Sequence, residues 1–119
     1  MNDKKRILFV DDDPALLAGL QNVLHRDRKR WEMIFALGGE AALDEIGASR
    51  FDVVVTDMRM PVVDGAAVLA VVKRASPDTF RVMLSGSDCE SVAGECDELL
   101  AKPCSAATLR ATLERLLSR

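Results

Sequence analysis

The chain alternates between short apolar runs of strand length and segments whose apolar residues recur with the period of a helix, and this alternation constrains the fold more than any other feature. Residues 7–10 form an unbroken apolar run, and residues 53–56 are β-branched throughout, as expected of strands buried on both faces. Three further strands are predicted at residues 31–37, 80–84 and 99–101. Five strands alternating with helices predict βαβ units, and hence a parallel sheet covered on both faces.

The predicted helices have recognisable start signals. Asp13 followed by Pro14 is typical of an N-cap and a first helical position, and Ser105 is a second N-cap candidate. Residues 87–97 are the exception, since they contain a glycine and few apolar residues, so the fourth helix is expected to be short or irregular. With 119 residues and no linker or low-complexity stretch, the chain is predicted to be one α/β domain, residues 1–119, without an output domain.

Composition and charge disfavour several classes of function. The net charge of −3 disfavours direct nucleic-acid binding by this domain. No apolar run approaches the ~20 residues of a membrane span, and the N-terminus lacks the pattern of a signal peptide. Cys89, Cys96 and Cys104 lack CxxC spacing and are accompanied by one histidine, so we expect free thiols and not a zinc site. A cytoplasmic protein without membrane contact is predicted, and the sequence is compatible with a homodimer.

Polar side chains follow four of the five predicted strands. Asp11 and Asp12 follow the first strand, Asp57 the third, Ser85 the fourth and Lys102 the fifth. Because the carboxyl ends of parallel strands meet at one edge of a sheet, these side chains are expected to lie together. Two like charges at 4 Å near a protein surface repel by about 4 kcal/mol, so the carboxylates need positive charge beside them. Lys102 supplies one charge, and Mg²⁺ is the expected source of the rest. Such surroundings suit a phosphoryl acceptor.

The order and spacing of these motifs resemble the receiver domain of bacterial two-component response regulators over essentially the whole chain. The resemblance is carried by residues 7–13, 53–61, 64–65, 83–86 and 101–103. It implies a doubly wound, flavodoxin-like (βα)5 fold with the strand order 2-1-3-4-5. It also implies a signalling phosphoacceptor, not an enzyme, that assists its own phosphorylation and dephosphorylation.

The resemblance implies a role for each residue at the predicted edge. Asp57 matches the phosphoacceptor, which receives a phosphoryl group from a sensor histidine kinase or a phosphotransfer protein in a Mg²⁺-dependent reaction. Ser85 matches the hydroxyl residue that contacts the phosphoryl group, and Lys102 matches the lysine that pairs with the acceptor. Phosphorylation is then expected to switch the conformation of the domain and so to control an effector domain or protein. The implied Mg²⁺ ligands are Asp11, Asp12, Asp57 and the backbone carbonyl of Arg59.

Two departures from the family pattern concern signal output. The aromatic switch of the family lies three residues before the lysine, where this chain has Leu99, and the chain contains no tyrosine. The stretch from Ser85 to Lys102 is also shorter than the family pattern, at the place of the fourth helix. The family often has a cis peptide bond before the residue that matches Pro103.

Two alternatives remain open at this point. Asp11-x-Asp13 after a strand, followed by a serine and a lysine, also fits an aspartyl-phosphate hydrolase of the haloacid dehalogenase type. Those enzymes need an acidic pair after the lysine, whereas only Glu114 follows Lys102 here. The second alternative is a degenerate receiver that serves only as an interaction module, which the intact set of predicted site residues argues against.

Overall fold

The computed structural model describes residues 4–86 and 96–118, which form a five-stranded parallel sheet. The strands are β1 (Lys5–Asp11), β2 (Trp31–Leu37), β3 (Val53–Asp57), β4 (Phe80–Ser85) and β5 (Glu98–Ala101). Their order across the sheet is β2-β1-β3-β4-β5, so the predicted doubly wound topology and strand order are confirmed. The central strand β3 is buried at every position, as its β-branched run predicts.

Four α-helices lie within the described residues. They are α1 (Pro14–Val23), α2 (Gly39–Ala48), α3 (Gly65–Ala75) and α4 (Ala106–Leu117). A 3-10 helix, His25–Lys29, follows α1. Both predicted N-caps are confirmed, because the Asp13 carboxylate accepts from two backbone N–H groups of α1 and the Ser105 hydroxyl accepts from one in α4. The short or irregular helix is expected within residues 87–97, of which 87–95 lie outside the described residues, and Cys96 and Asp97 are not helical.

Alternate side chains of the sheet belong to two apolar clusters, one on each face. Ile7 and Phe9 of β1 share a cluster with residues of α1 and α4, including Leu113. Leu8 shares the other cluster with residues of α2 and α3, including Leu69. Each of these side chains is at most 1% exposed. Burying one side chain of this size contributes about 1.5–3 kcal/mol, so the alternation holds a helix layer on each face.

The helical spacing of the apolar residues after Pro14 predicts that Val23 is buried, and the alternation in residues 31–37 predicts the same for Leu37, but both are exposed. Val23, 46% exposed, is the last residue of α1, and the next residue, Leu24, takes the buried position as the helix ends. Leu37, 54% exposed, ends the edge strand β2 just before the chain turns at Gly38. The longest helix in the described ranges has 12 residues, and none there is long and apolar enough to cross a membrane.

Candidate functional site

The parallel register brings the ends of four strands to one edge of the sheet. Asp11, Asp57 and Ser85 are the last residues of β1, β3 and β4, and Lys102 directly follows β5. Asp57 pairs in register with Leu84, and the backbone N–H of Lys102 donates to the Ser85 carbonyl over 2.8 Å. Backbone pairing therefore fixes the relative positions of the site residues at the strand ends, whereas Asp12 and Arg59 lie in the loops that follow.

Three carboxylates form a cluster at this edge. Asp11, Asp12 and Asp57 each offer one carboxylate oxygen, and these oxygens all lie within 4.8 Å of one another. Asp11 and Asp57 are buried, whereas Asp12 is exposed. Lys102 Nζ lies 2.9 Å from Asp57 Oδ1 and 3.5 Å from Asp11 Oδ2, so one ammonium is shared by two buried carboxylates. The backbone N–H of Asp13 donates to Asp11 Oδ1 over 3.0 Å.

Burial and the neighbouring charges shift the pKa values of Asp11 and Lys102. Burial, with the negative charge of Asp57 adding to it, raises the pKa of Asp11 despite the hydrogen bond from Asp13 and the nearby ammonium. Burial acts to lower the pKa of Lys102, but its hydrogen bond to Asp57 and the charges of Asp11 and Asp57 outweigh burial and raise it. Lys102 is therefore a cation at neutral pH, whereas the ionised form of Asp11 is less favourable than that of an aspartate in water.

The donor set fits a divalent cation that prefers oxygen ligands. Three carboxylates and one ammonium leave a formal charge of −2, and the negative charge of Asp57 adds to burial in raising the pKa of Asp11. Carboxylate oxygens are the ligands that Mg²⁺ prefers, and it takes one or two of them with water and phosphate completing its shell. Arg59, exposed, lies two residues beyond Asp57 in the loop before α3. Its backbone carbonyl as a further ligand stays a prediction.

Ser85 lies at the predicted edge, but its hydroxyl has a partner that the sequence did not indicate. The side chain is buried, and its hydroxyl donates to the sulfur of Met58, with Oγ 3.5 Å from Sδ. Asp57 and Lys102 pair with each other and not with this hydroxyl. Met58 is an apolar residue after a strand, so no motif or period could assign it a polar contact.

The loop between β3 and α3 returns close to the end of β3. The Gly65 N–H donates to the Met58 carbonyl over 2.8 Å, and a Cβ at Gly65 would collide with the backbone of Asp57 and Met58. Only glycine fits this approach, which explains the Asp64-Gly65 motif physically. In the same loop Val62 has φ of 68° and is 88% exposed, a conformation that costs a β-branched residue about 1–3 kcal/mol.

One of the two departures that concern signal output, Leu99, lies within the described residues. Leu99, at the position of the expected aromatic residue, is half-buried and packs against the apolar cluster that contains Met83. The peptide bond between Lys102 and Pro103 is cis. The effect of the shortened stretch between Ser85 and Lys102 on switching concerns mainly residues 87–95, outside the described residues.

Comparison with known proteins decides which class of protein carries this arrangement. The sequence pattern of the family described as response regulator receiver domain matches residues 7–114. The chain belongs to this family. The resemblance drawn from the sequence is therefore confirmed, and the alternative of a haloacid dehalogenase type hydrolase is wrong.

Similar receivers are known from several bacteria. The transcriptional regulatory protein PrrA of Mycobacterium tuberculosis is 34% identical over 119 residues, which cover 96% of this chain and 50% of PrrA. The BeF3-activated receiver domain of DrrB is 29% identical, with a TM-score of 0.85, over 98% of this chain and 99% of that structure. The response regulator TrrA from Thermotoga maritima, in complex with Mg(2+)-BeF, is 28% identical, with a TM-score of 0.84, over 94% and 98% of the two chains.

The chain spans about half the length of the curated relatives that it matches. Within that length it is a receiver domain of a two-component response regulator, the family of signalling domains that switch on phosphorylation. The prediction of a signalling domain and not a classical enzyme is confirmed at that level.

Proposed function

We propose that Asp57 is the residue of this receiver domain that takes up the phosphoryl group. The observation that carries the proposal is the convergence of the other charged groups on its carboxylate. Lys102 Nζ lies 2.9 Å from Oδ1, and Asp11 and Asp12 each offer an oxygen within 4.8 Å. Asp57 ends the central strand and is 7% exposed, so the sheet restricts its motion, which favours attack on a phosphorus atom along one line.

In the proposed reaction an Asp57 carboxylate oxygen attacks the phosphorus atom of a phosphohistidine. The new P–O bond forms as the P–N bond breaks, and the imidazole leaves with the electron pair and takes up a proton. Lys102, kept protonated by its raised pKa, neutralises part of the charge on the phosphoryl oxygens. The Ser85 hydroxyl donates to one of these oxygens. Mg²⁺, held by Asp11, Asp12, Asp57 and the Arg59 carbonyl, would neutralise further charge on the phosphoryl oxygens.

The same side chains serve the loss of the phosphoryl group. Water then attacks the phosphorus atom, and the Asp57 carboxylate leaves with the electron pair while Lys102 stays beside it. We therefore propose that the domain assists both its own phosphorylation and its own dephosphorylation, without turning over a metabolic substrate.

The proposed partners follow from this chemistry and from the relatives. The donor is a sensor histidine kinase or a phosphotransfer protein, since either presents a phosphohistidine. PrrA is a transcriptional regulatory protein about twice the length of this chain, which supports an effector domain or protein as the receiver of the signal. A homodimer, the lack of direct nucleic-acid contact and a cytoplasmic location stay predictions.

Intact mass spectrometry after incubation with acetyl phosphate and Mg²⁺ tests the assignment. Wild type is expected to gain one phosphoryl adduct, and Asp57→Asn none. Asp78→Asn is the matched control, because Asp78 is an exposed aspartate just before β4, at the opposite end of that strand from Ser85, and this variant should react like wild type.

An adduct of unchanged size in Asp57→Asn would place the phosphoryl group elsewhere. Absence of any adduct on the wild type, with acetyl phosphate and with a phosphorylated histidine donor alike, would instead favour the degenerate receiver that serves only for interaction.

A further inference from the structure

The Ser85 hydroxyl and the proposed phosphoacceptor, Asp57, are linked through one residue, Met58. Met58 directly follows Asp57, and its sulfur accepts the hydrogen bond of the buried Ser85 hydroxyl. The contact joins side chains 27 residues apart in the sequence, at the edge where the phosphoryl group would sit. Neither the family motifs nor the charges of the site give Met58 a role.

The backbone of Met58 is held at both ends independently of its side chain. Its N–H donates to the Leu84 carbonyl over 3.0 Å, and its carbonyl accepts from the Gly65 N–H over 2.8 Å. Leu84 belongs to β4 and Gly65 begins α3. The backbone can therefore stay in position when the side chain is changed. Because that side chain packs against the apolar cluster that contains Met83, a substitute of similar volume is needed to isolate the effect of the sulfur.

A thioether is a weak acceptor, whereas the charged oxygens of a phosphoryl group form hydrogen bonds roughly twice as strong as neutral ones. A buried hydroxyl with no partner is unfavourable, so Ser85 needs an acceptor in the resting protein. The Met58 sulfur is an acceptor that pairs with the Ser85 hydroxyl in the unphosphorylated protein, and it is weak enough for a phosphoryl oxygen to replace it.

We propose that Met58 is a positioning residue whose thioether holds the Ser85 hydroxyl in its resting rotamer and sets how readily that hydroxyl turns to a phosphoryl group on Asp57. This rests on the proposed function, in which Ser85 donates to the phosphoryl group. A ligand shifts an equilibrium only by its different affinity for the two states. A stronger resting acceptor at position 58 therefore reduces the shift that phosphorylation can produce.

Two substitutions of similar volume separate acceptor strength from packing. Met58→Leu removes the acceptor, and Met58→Gln offers an amide oxygen, a stronger acceptor than sulfur. The measurement is the apparent dissociation constant of BeF3⁻, a phosphoryl analogue, at saturating Mg²⁺, from an NMR titration. The Gln variant is expected to bind BeF3⁻ about three- to tenfold more weakly than the Leu variant, the range that one hydrogen bond of ordinary strength spans, with wild type between them.

Both substitutions are then repeated in the Ser85→Ala background, where the hydroxyl is gone. The Leu and Gln variants should now bind BeF3⁻ equally, within about twofold, because a double-mutant cycle isolates the contact between the two side chains. A merely structural role for Met58 would instead produce a difference that does not depend on Ser85.

The inference about Met58 is wrong if the Leu and Gln variants bind BeF3⁻ equally when Ser85 is present, or if their difference survives Ser85→Ala. In either case, binding of BeF3⁻ by wild type leaves the proposed function intact. If wild type binds no BeF3⁻ at saturating Mg²⁺, the proposed function is itself wrong, and the role of Met58 falls with it.

Discussion

Replacing Lys102 by methionine removes the one ammonium that two buried carboxylates share. The Lys102 side chain is 28% exposed, and the side chains of its partners Asp11 and Asp57 are 3% and 10% exposed. Methionine keeps much of the aliphatic stem, so the substitution removes charge with little change of packing. The perturbation therefore leaves two carboxylates facing each other with no cation between them.

The distances give the size of the effect. With an effective dielectric constant of about 20, an ion pair at 2.9 Å is worth about 6 kcal/mol and one at 3.5 Å about 5 kcal/mol, before desolvation is subtracted. Desolvation of the three groups offsets much of this, and removal of one partner from a buried pair costs about 3–5 kcal/mol. Since Lys102 keeps partial contact with water, we expect Lys102→Met to lower the free energy of unfolding by about 2–4 kcal/mol at neutral pH without Mg²⁺.

Mg²⁺ should recover part of that loss. Without Lys102 the carboxylates attract a cation more strongly, so Mg²⁺ is expected to bind the variant at least about tenfold more tightly than wild type, which corresponds to about 1.4 kcal/mol. Urea unfolding with and without Mg²⁺ measures both effects. The fluorescence of Trp31, the single tryptophan of the chain, reports unfolding, because it is 5% exposed at the opposite end of β2 from the site.

Lys73→Met is the matched control. Lys73 is exposed in the last turn of α3, where a cation contributes about 0.3–1 kcal/mol through the helix dipole. If Lys102→Met loses no more stability than this control, the reasoning about shared charge is refuted. If Mg²⁺ raises the free energy of unfolding of Lys102→Met no more than that of wild type, the lysine and the metal do not neutralise the same excess of negative charge.

Three further variants test the account. Asp12→Ala should lose most of the stabilisation by Mg²⁺, which for wild type at a hundredfold excess over Kd is about 2.7 kcal/mol in thermal or urea unfolding. Asp27→Asn should lower stability by about 3 kcal/mol near neutral pH, with exposed Asp44→Asn as control. Although burial opposes it, hydrogen bonds from arginines lower the pKa of Asp27, so this loss should persist down to about pH 4 and shrink as pH falls through the folded-state pKa. Gly65→Ala should cost about 1–3 kcal/mol by collision with the end of β3, whereas Gly47→Ala, with open space around it, should cost nothing in the same melts.

The strands and the edge that carries the site could be predicted because both depend on local patterns. A continuous run such as residues 53–56 specifies a buried strand whatever surrounds it, and parallel pairing then brings strand ends together without any further information. Asp57 and Lys102 meet at 2.9 Å for this reason, although 45 residues separate them. Periodicity is less informative at element ends, where Val23 and Leu37 face solvent because the helix or strand stops there.

The contact between Met58 and Ser85 had no signal in the sequence, since a thioether acceptor is visible only when a buried hydroxyl lies beside it. The burial of Asp27 could not be predicted from the sequence either. It lies in a run of charged residues that indicates a solvated surface, and yet it is 4% exposed. Its burial depends on Arg110, whose Nε donates to Asp27 Oδ2 over 3.0 Å from 83 residues away. No local pattern contains that information.

Asp11 and Asp27 show how the balance of charge distinguishes a predicted metal-binding carboxylate from a structural one. Both are buried, and burial alone raises the pKa of each. Asp27 accepts hydrogen bonds from two arginines, Arg110 and Arg30, the second of which also pairs with Glu114, and together they outweigh burial and lower the pKa of Asp27. Burial, with the charge of Asp57 adding to it, raises the pKa of Asp11, and the one lysine that Asp11 shares with Asp57 does not reverse this shift. A buried aspartate with two cationic partners attracts a further cation weakly, whereas two buried aspartates that share one ammonium attract a divalent cation more strongly. The excess of negative charge at the strand ends is therefore the reason why we expect this edge of the sheet to bind Mg²⁺.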